Sequence, residues 1–167
     1  MSKVPRRQDT VKSRLSDNGV RTPAGDAFSG LVVRLFRLNG LIAAEGENLT
    51  RPAGQTTARW QVLASAENAP LTVAQIARTL GLARQSVQRV ADVLEGDGLI
   101  RYEDNPRHRR ARLVTLTENG RASLARIQAS QRPWANDLGA AVGVRRLQQA
   151  NGVLEQVLEA IAVRRTR

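Results

Sequence analysis

Apolar residues recur at every third or fourth position over most of this chain, which is the spacing of amphipathic α-helices. The first such segment covers residues 26–49, and Asp26 is a candidate N-cap for it. After the helix-breaking stretch 51–54, Thr56 or Thr57 can cap a second helix that ends near Ala66.

Two further amphipathic segments lie within residues 118–165. Thr117 is placed to cap the first of them, and Pro133 is expected to interrupt or kink it. Gly143 precedes the second segment, whose apolar positions again follow a helical period. The pattern therefore predicts a mainly α-helical protein with long helices at both ends.

Residues 71–100, "LTVAQIARTLGLARQSVQRVADVLEGDGLI", have the spacing of a helix-turn-helix. Thr72 can cap a short first helix, and Gly81 can adopt the positive φ of a tight turn. The small residue Ala77 falls where the two helices would cross, and apolar residues, among them Val87 and Val90, fall where they would pack. A simple αα-hairpin is the less favoured alternative.

The second helix of this pair carries polar and cationic residues on the face opposite its apolar stripe. Arg can bind guanine with two hydrogen bonds, Gln can bind adenine, and Ser or free backbone N–H groups can bind a phosphate. This helix is therefore predicted to be the recognition helix of a DNA-binding protein, with candidate contacts from Arg84, Gln85, Ser86, Gln88 and Arg89.

A β-hairpin is predicted directly after the recognition helix. Residues 99–103 and 112–117 alternate as two strands, and residues 104–111 connect them. The connection is rich in arginine, so it is predicted to be a wing that enters the minor groove or grips the backbone. The candidate contacts in the wing are Arg107, Arg109 and Arg110; a merely solvated hairpin is the alternative.

The charge of the chain fits either an anionic partner or a solvated basic surface that keeps the protein soluble. Lys and Arg number 26 against 15 Asp and Glu, which gives a net charge of +11, and only Lys3 and Lys12 are lysine. Double-stranded DNA is the expected partner, because arginine pairs well with phosphate. Residues 1–25 carry basic residues without an apolar period, which predicts a flexible basic arm.

Other classes of protein have little support in the sequence. With one His, no Cys, no P-loop and no G-x-G-x-x-G motif, we expect no enzyme, no cofactor and no metal site. No run approaches 18 uninterrupted apolar residues and the N-terminus has no apolar signal segment, so we expect a cytoplasmic protein without a membrane span.

Residues 71–121 resemble the winged helix-turn-helix core of the MarR family of bacterial transcription regulators. The segment "NPRHRRARLVTLTENGR" follows the family pattern "DPxDRRAxxVxLTxxGR", and His108 stands where that pattern has Asp. The resemblance implies one MarR-like domain over residues 26–167, with a winged core at about 57–117. It implies a homodimer in which the helices 26–49 and 118–165 form the interface, and it places the family's wing arginine at Arg110.

The resemblance and the basic surface together predict a sequence-specific regulator, most simply a homodimeric repressor on a palindromic operator that associates with the bacterial nucleoid when bound. A small aromatic or phenolic effector could release it from DNA, as the resemblance implies. Two alternatives remain open at this stage. One is a sequence-tolerant DNA-coating protein, and the other is a winged helix that serves mainly as a protein-assembly surface.

Overall fold

The computed structural model describes residues 21–108 and 110–165. Backbone contacts divide the chain after Ile42 into two compact units. The helices are α1 (Pro23–Thr50), α2 (Thr57–Ser65), α3 (Val73–Leu80), α4 (Arg84–Gly96), α5 (Glu118–Val142) and α6 (Val144–Arg165), and a 3-10 turn spans Arg51–Ala53. The strands are β1 (Leu71–Thr72), β2 (Ile100–Glu103) and β3 (Leu113–Leu116).

Helix α1 begins earlier than its sequence pattern indicated. Asp26 was expected to be the N-cap, but it lies inside the helix, which starts at Pro23. The hydroxyl of Thr22 accepts a hydrogen bond from the backbone N–H of Gly25 at 3.1 Å, and proline fits the first helical turn because it has no N–H to satisfy. The predicted arm 1–25 therefore extends too far by at least three residues, and its residues 1–20 lie outside the described part of the chain.

The same helix is long and apolar enough to cross a membrane by length and composition alone. That result differs from the expectation of no membrane span. However, Arg34 and Arg37 lie near the middle of α1, and a charged residue at the centre of a bilayer costs about 2.5–3.5 kcal/mol on insertion scales. The two arginines argue against insertion of this helix into a bilayer.

The unit that starts at Ala43 has a core built from branched aliphatic side chains, in line with the low aromatic content of the chain. The side chains of Leu63, Ile76, Leu94 and Leu116 are each at most 1% exposed. They come from α2, α3, α4 and β3 respectively, so the winged helix-turn-helix elements share one hydrophobic core.

Three strands form a small antiparallel sheet in the order β1-β3-β2. The register pairs Tyr102 with Val114 and Leu71 with Val114 on the two sides of β3. The predicted hairpin is therefore present, together with the short strand β1, which the sequence did not reveal because two residues are too few to show an alternating pattern. The mainly α-helical winged fold is confirmed.

The predicted helix-turn-helix geometry is confirmed in detail. Thr72 caps α3 through a capping box with Gln75, whose backbone N–H donates to the Thr72 hydroxyl at 3.2 Å. Gly81 ends α3 with φ of 66°, the left-handed conformation that glycine adopts without strain. Ala77 on α3 and Val87 on α4 are both buried between the helices.

The last two helices also begin where the sequence indicated. The Thr117 hydroxyl accepts the N–H of Gly120 at 3.1 Å and caps α5, and Gly143 separates α5 from α6. The expected interruption at Pro133 does not occur, because α5 continues as one helix through that residue. The 25-residue helix stays continuous although proline removes one backbone hydrogen-bond donor.

Candidate nucleic-acid interface

Helix α4 has one buried apolar face and one accessible polar face, although Val93 is also exposed. Val87, Ala91 and Leu94 are buried in the core. On the other face, every candidate contact predicted on this helix is accessible: Arg84, Gln85 and Arg89 are exposed, and Ser86 and Gln88 are half-buried. The core anchors the helix on one side and leaves a polar face directed away from it.

The N-terminus of α4 has no side-chain cap. Ala83 occupies the N-cap position and has no side-chain acceptor, so the first N–H groups of the helix are not bonded by a capping side chain. An anionic group placed here would meet backbone donors, the positive end of the helix dipole and the guanidinium of Arg84.

Gln88 is held by a closed set of hydrogen bonds that reaches from α4 to the wing. Its amide nitrogen donates to the Asp92 carboxylate at 2.7 Å and to the Tyr102 hydroxyl at 2.8 Å. The Tyr102 hydroxyl donates to the same Asp92 oxygen at 2.9 Å. Burial of the ring, followed by the hydrogen bond to Asp92, raises the pKa of Tyr102 well above its ordinary value, so the hydroxyl keeps its proton.

Asn105 organises the tip of the wing, which here means residues 104–111. Its side-chain amide donates to the carbonyl of Ala111 at 3.0 Å, and its side-chain oxygen accepts the N–H of Arg107 at 3.0 Å. Its own carbonyl accepts the N–H of His108 at 3.1 Å. His108 stands where the family pattern has Asp, and Asn105 supplies cross-links within the tip.

The arginines of the wing fall into two groups. Arg107 and Arg110 are exposed at the tip, whereas Arg112 donates to the Tyr102 carbonyl at 2.7 Å and lies 5.1 Å from the centre of the Tyr102 ring. Arg112 therefore holds the base of the wing, and Arg107 and Arg110 are available to a partner. Arg109, the third predicted contact, lies outside the described residues.

The base of the wing is also stabilised by an ion pair on β2. Arg101 lies 2.7 Å from Glu103, and Thr115 of β3 donates to the same carboxylate at 3.0 Å. The hydrogen bond from Arg101, and then that from Thr115, lower the pKa of Glu103. At pH values above the ordinary pKa of a glutamate, these contacts stabilise the folded hairpin. This stabilisation is lost as the pH falls through the lowered pKa of Glu103.

A cleft of about 390 Å³ is lined by residues of α3, α4 and the hairpin. Arg84 of α4 and Arg110 of the wing both line it, together with Arg112 and Tyr102, and Asp92 and Glu95 contribute negative charge. The structure thus brings residues of α4 and of the wing to one surface. No group of three or more His, Cys, Asp or Glu side chains in the described ranges could hold a metal ion.

Three of these residues were not among the sequence-predicted contacts: Asp92, Tyr102 and Asn105. Asp92 and Gln88 are four residues apart on a helix, a spacing that brings side chains together. An Asn before a proline in a turn is a common local hydrogen bonder, which could have indicated Asn105. Nothing in the sequence shows that Tyr102 reaches α4, because that contact depends on how the strand packs.

The fold and this surface define a winged helix-turn-helix protein. The model of the MarR family matches residues 53–111. An uncharacterized protein of Mycobacterium tuberculosis is 40% identical over 140 residues, which cover 84% of this chain and 98% of that protein. The chain therefore belongs to the MarR family of DNA-binding transcription regulators.

Solved structures share the fold. The transcriptional regulator MosR of M. tuberculosis, solved in complex with DNA, is 24% identical to this chain and superposes with a TM-score of 0.65. The alignment covers 78% of this chain and 96% of the MosR chain. CouR of Rhodococcus jostii, solved with p-coumaroyl-CoA, is 22% identical to this chain and superposes with a TM-score of 0.69. The alignment covers 76% of this chain and 90% of the CouR chain. These family relations agree with the expectation that the protein is not an enzyme.

Proposed function

We propose that the protein is a homodimeric repressor that binds a palindromic operator and thereby blocks access to promoter DNA. The observation that carries the proposal is the single surface formed by the polar face of α4 and the tip of the wing. The DNA contacts proposed on this surface are Arg84, Gln85, Ser86, Gln88, Arg89, Arg107, Arg109 and Arg110.

The proposed geometry uses two grooves of one duplex. The polar face of α4 enters the major groove, where base edges are distinguishable, and the exposed Arg107 and Arg110 reach the adjacent minor groove or its phosphates. The structure of MosR, which has a similar fold and was solved in complex with DNA, supports DNA as the partner of this surface. In the cell the protein would act in the cytoplasm, on the nucleoid.

The apolar surface of α6 supports the homodimer. None of its residues up to Arg164 is buried, yet large apolar side chains recur along it with helical spacing, including Val144, Leu158 and Ile161. A surface of this kind is stabilised when a partner covers it. A second copy would also supply the second recognition helix that a palindrome requires. The proposed dimerisation segments are residues 26–49 and 118–165.

The experiment is selection of bound fragments from a random duplex library at ~150 mM salt, where phosphate-only binding is weakened. We expect an inverted repeat whose half-sites are separated by ~10–10.5 bp or a multiple of it. Tight binding without any recovered motif would contradict the proposal. That result would favour the alternative of a DNA-coating protein, which the net charge of +11 also fits.

The sign of regulation needs a separate test. Transcription in vitro from a promoter that contains the selected repeat should fall as the protein is added, because a bound dimer excludes RNA polymerase. A matched template with a scrambled repeat serves as the control. A rise in transcript on the intact template would show that the protein activates.

A small aromatic effector is part of the proposal, and the binding of p-coumaroyl-CoA by CouR supports it. An effector that prefers a conformation unable to bind DNA would lower the affinity for the operator. Operator binding should be titrated with simple phenolic acids and with p-coumaroyl-CoA, and coenzyme A alone controls for the charge of the thioester. No loss of binding with any of these compounds would remove this part of the proposal.

A further inference from the structure

The hydrogen bonds around Gln88 determine which of its polar atoms can meet DNA. A glutamine amide has two donor hydrogens on its nitrogen and one acceptor oxygen. The nitrogen of Gln88 lies 2.7 Å from an Asp92 oxygen and 2.8 Å from the Tyr102 hydroxyl. These two contacts can engage both donor hydrogens, each at a bent angle, because the two acceptors lie only 2.9 Å apart.

The direction of each bond follows from the chemistry of the three groups. The Asp92 carboxylate carries no hydrogen, so it accepts both from Gln88 and from Tyr102. The tyrosine hydroxyl uses its only hydrogen on Asp92, so it must accept the second hydrogen of Gln88. Turning the amide over would place its oxygen 2.7 Å from the Asp92 carboxylate, which has no hydrogen to donate, so the contact with Asp92 excludes that orientation.

We propose that Tyr102 and Asp92 are specificity-determining residues that make Gln88 a pure hydrogen-bond acceptor toward a DNA base. The inference rests on the proposed function and makes its recognition surface more specific. A free glutamine binds adenine with two bonds, one to N6 and one to N7. Gln88 keeps only its oxygen for a base, and both adenine N6 and cytosine N4 can donate to it.

The position of Tyr102 makes this arrangement rigid. Its strand pairs with β3 in the sheet, and the guanidinium of Arg112 lies over its ring while bonding its carbonyl. If Gln88 turned toward DNA, Tyr102 could not move with it without breaking the contacts that Arg112 makes at the base of the wing. The wing thus influences base recognition in the major groove through a residue that need not touch DNA.

The first part of the test measures the hydrogen bonds without DNA. Tyr102 is the only tyrosine, so the absorbance change of tyrosine ionisation reports this residue alone. Because Asp92 raises the pKa of Tyr102, the ionisation midpoint should fall in the Asp92→Ala variant. The ring stays partly buried in that variant, so the midpoint should remain above that of a free tyrosine. An unchanged midpoint would overturn the proposal.

The second part measures base preference with the selected operator. Replacing each base pair in turn and comparing the wild type with Gln88→Ala locates the contacted pair, where the variant should lose discrimination. At that pair the wild type should bind adenine and cytosine within about twofold, and guanine and thymine about fivefold more weakly, as expected for one hydrogen bond.

Tyr102→Phe is the discriminating variant, because it keeps the ring beneath Arg112 and removes only the hydroxyl. One donor of Gln88 is then free, so adenine should become preferred over cytosine by about fivefold. A wild type that already prefers adenine by that margin, or a variant with an unchanged base profile, would overturn the inference alone. Failure of the wild type to select any motif would instead overturn the proposed function.

Discussion

At the scale of single residues, Gly120 is required by a close approach of two backbones. It lies in the first turn of α5, and a Cβ atom added there would come within 1.9 Å of the carbonyl oxygen of Leu99. The same carbonyl accepts the N–H of Thr117 at 3.1 Å, so neither backbone can move away freely. Here glycine is needed for space rather than for an unusual φ.

Gly120→Ala should lower the free energy of unfolding by about 1–3 kcal/mol, the usual effect of inserting an atom into a packed region. Gly139→Ala in the same helix is the control, because nothing lies within 4 Å of a Cβ added there. The free energy of unfolding of that variant should rise by about 0.5–1 kcal/mol, because alanine has a better helix propensity than glycine. Urea denaturation measures both, and an equal effect of the two substitutions would contradict the packing explanation.

Two arginines of the hairpin should have separable roles. Arg110→Ala should weaken operator binding by about 1–3 kcal/mol with little change in stability, because Arg110 is exposed on the proposed DNA surface. Arg112→Ala should lower stability by about 0.5–1.5 kcal/mol, because it loses the bond to the Tyr102 carbonyl.

Fluorescence anisotropy with labelled operator and thermal unfolding distinguish these outcomes. Arg51→Ala, an exposed arginine in the 3-10 turn that follows α1, controls for the loss of one positive charge. Normal operator affinity in Arg110→Ala would remove Arg110 from the interface. A destabilised Arg110→Ala variant would show that its side chain supports the fold.

At the scale of elements, the wing owes its conformation to one side chain. Asn105 donates to the Ala111 carbonyl and accepts from the N–H of Arg107, so it connects both sides of the tip. The sequence indicated a basic hairpin from its alternation and its arginines. It could not indicate which residue holds the tip, since that depends on the path of the turn.

Asn105→Ala should increase amide hydrogen exchange in the wing, because both side-chain bonds are lost at about 0.5–1.5 kcal/mol each. Asn105→Asp keeps the acceptor for Arg107 and loses the donor to Ala111, so its exchange should be intermediate. Hydrogen exchange detected by mass spectrometry measures this, and operator affinity should fall in the same order. Identical exchange in all three proteins would show that Asn105 does not hold the tip.

At the scale of the whole molecule, α6 has no buried face of its own. Most of its large apolar side chains are exposed in the single chain, with Leu158 61% exposed, whereas Leu154 and Val157 are half-buried. Charges introduced on this face should prevent assembly, because an unpaired carboxylate would be removed from water at the proposed interface. The double variant Leu158→Glu, Ile161→Glu should therefore be monomeric in light scattering and bind the operator at least tenfold more weakly.

The control for that variant adds the same charge at two glutamines of the same helix. Gln148 and Gln149 are exposed and lie more than two helical turns before Leu158 and Ile161. Changing both to glutamate should leave the dimer intact. A dimeric Leu158→Glu, Ile161→Glu protein would show that this face of α6 is not needed for the dimer.

The amino-acid sequence by itself determined the helices, the hairpin and the class of the protein. Apolar spacing, the caps Thr72 and Thr117, and the turn glycine Gly81 act between near neighbours, so they can be recognised without coordinates. Local signals identified a helix start less well where several residues could serve as the N-cap. At the start of α1, Thr22 is the cap in place of Asp26.

Only the tertiary structure decided how the surface is arranged. The bond from Gln88 to Tyr102 spans 14 residues, and the contact of Gly120 with Leu99 spans 21. Such contacts depend on the mutual packing of helix, strand and turn, which no local pattern specifies. The sequence therefore identified the polar residues of α4, and the packing of the wing against α4 determined which of their atoms remain free.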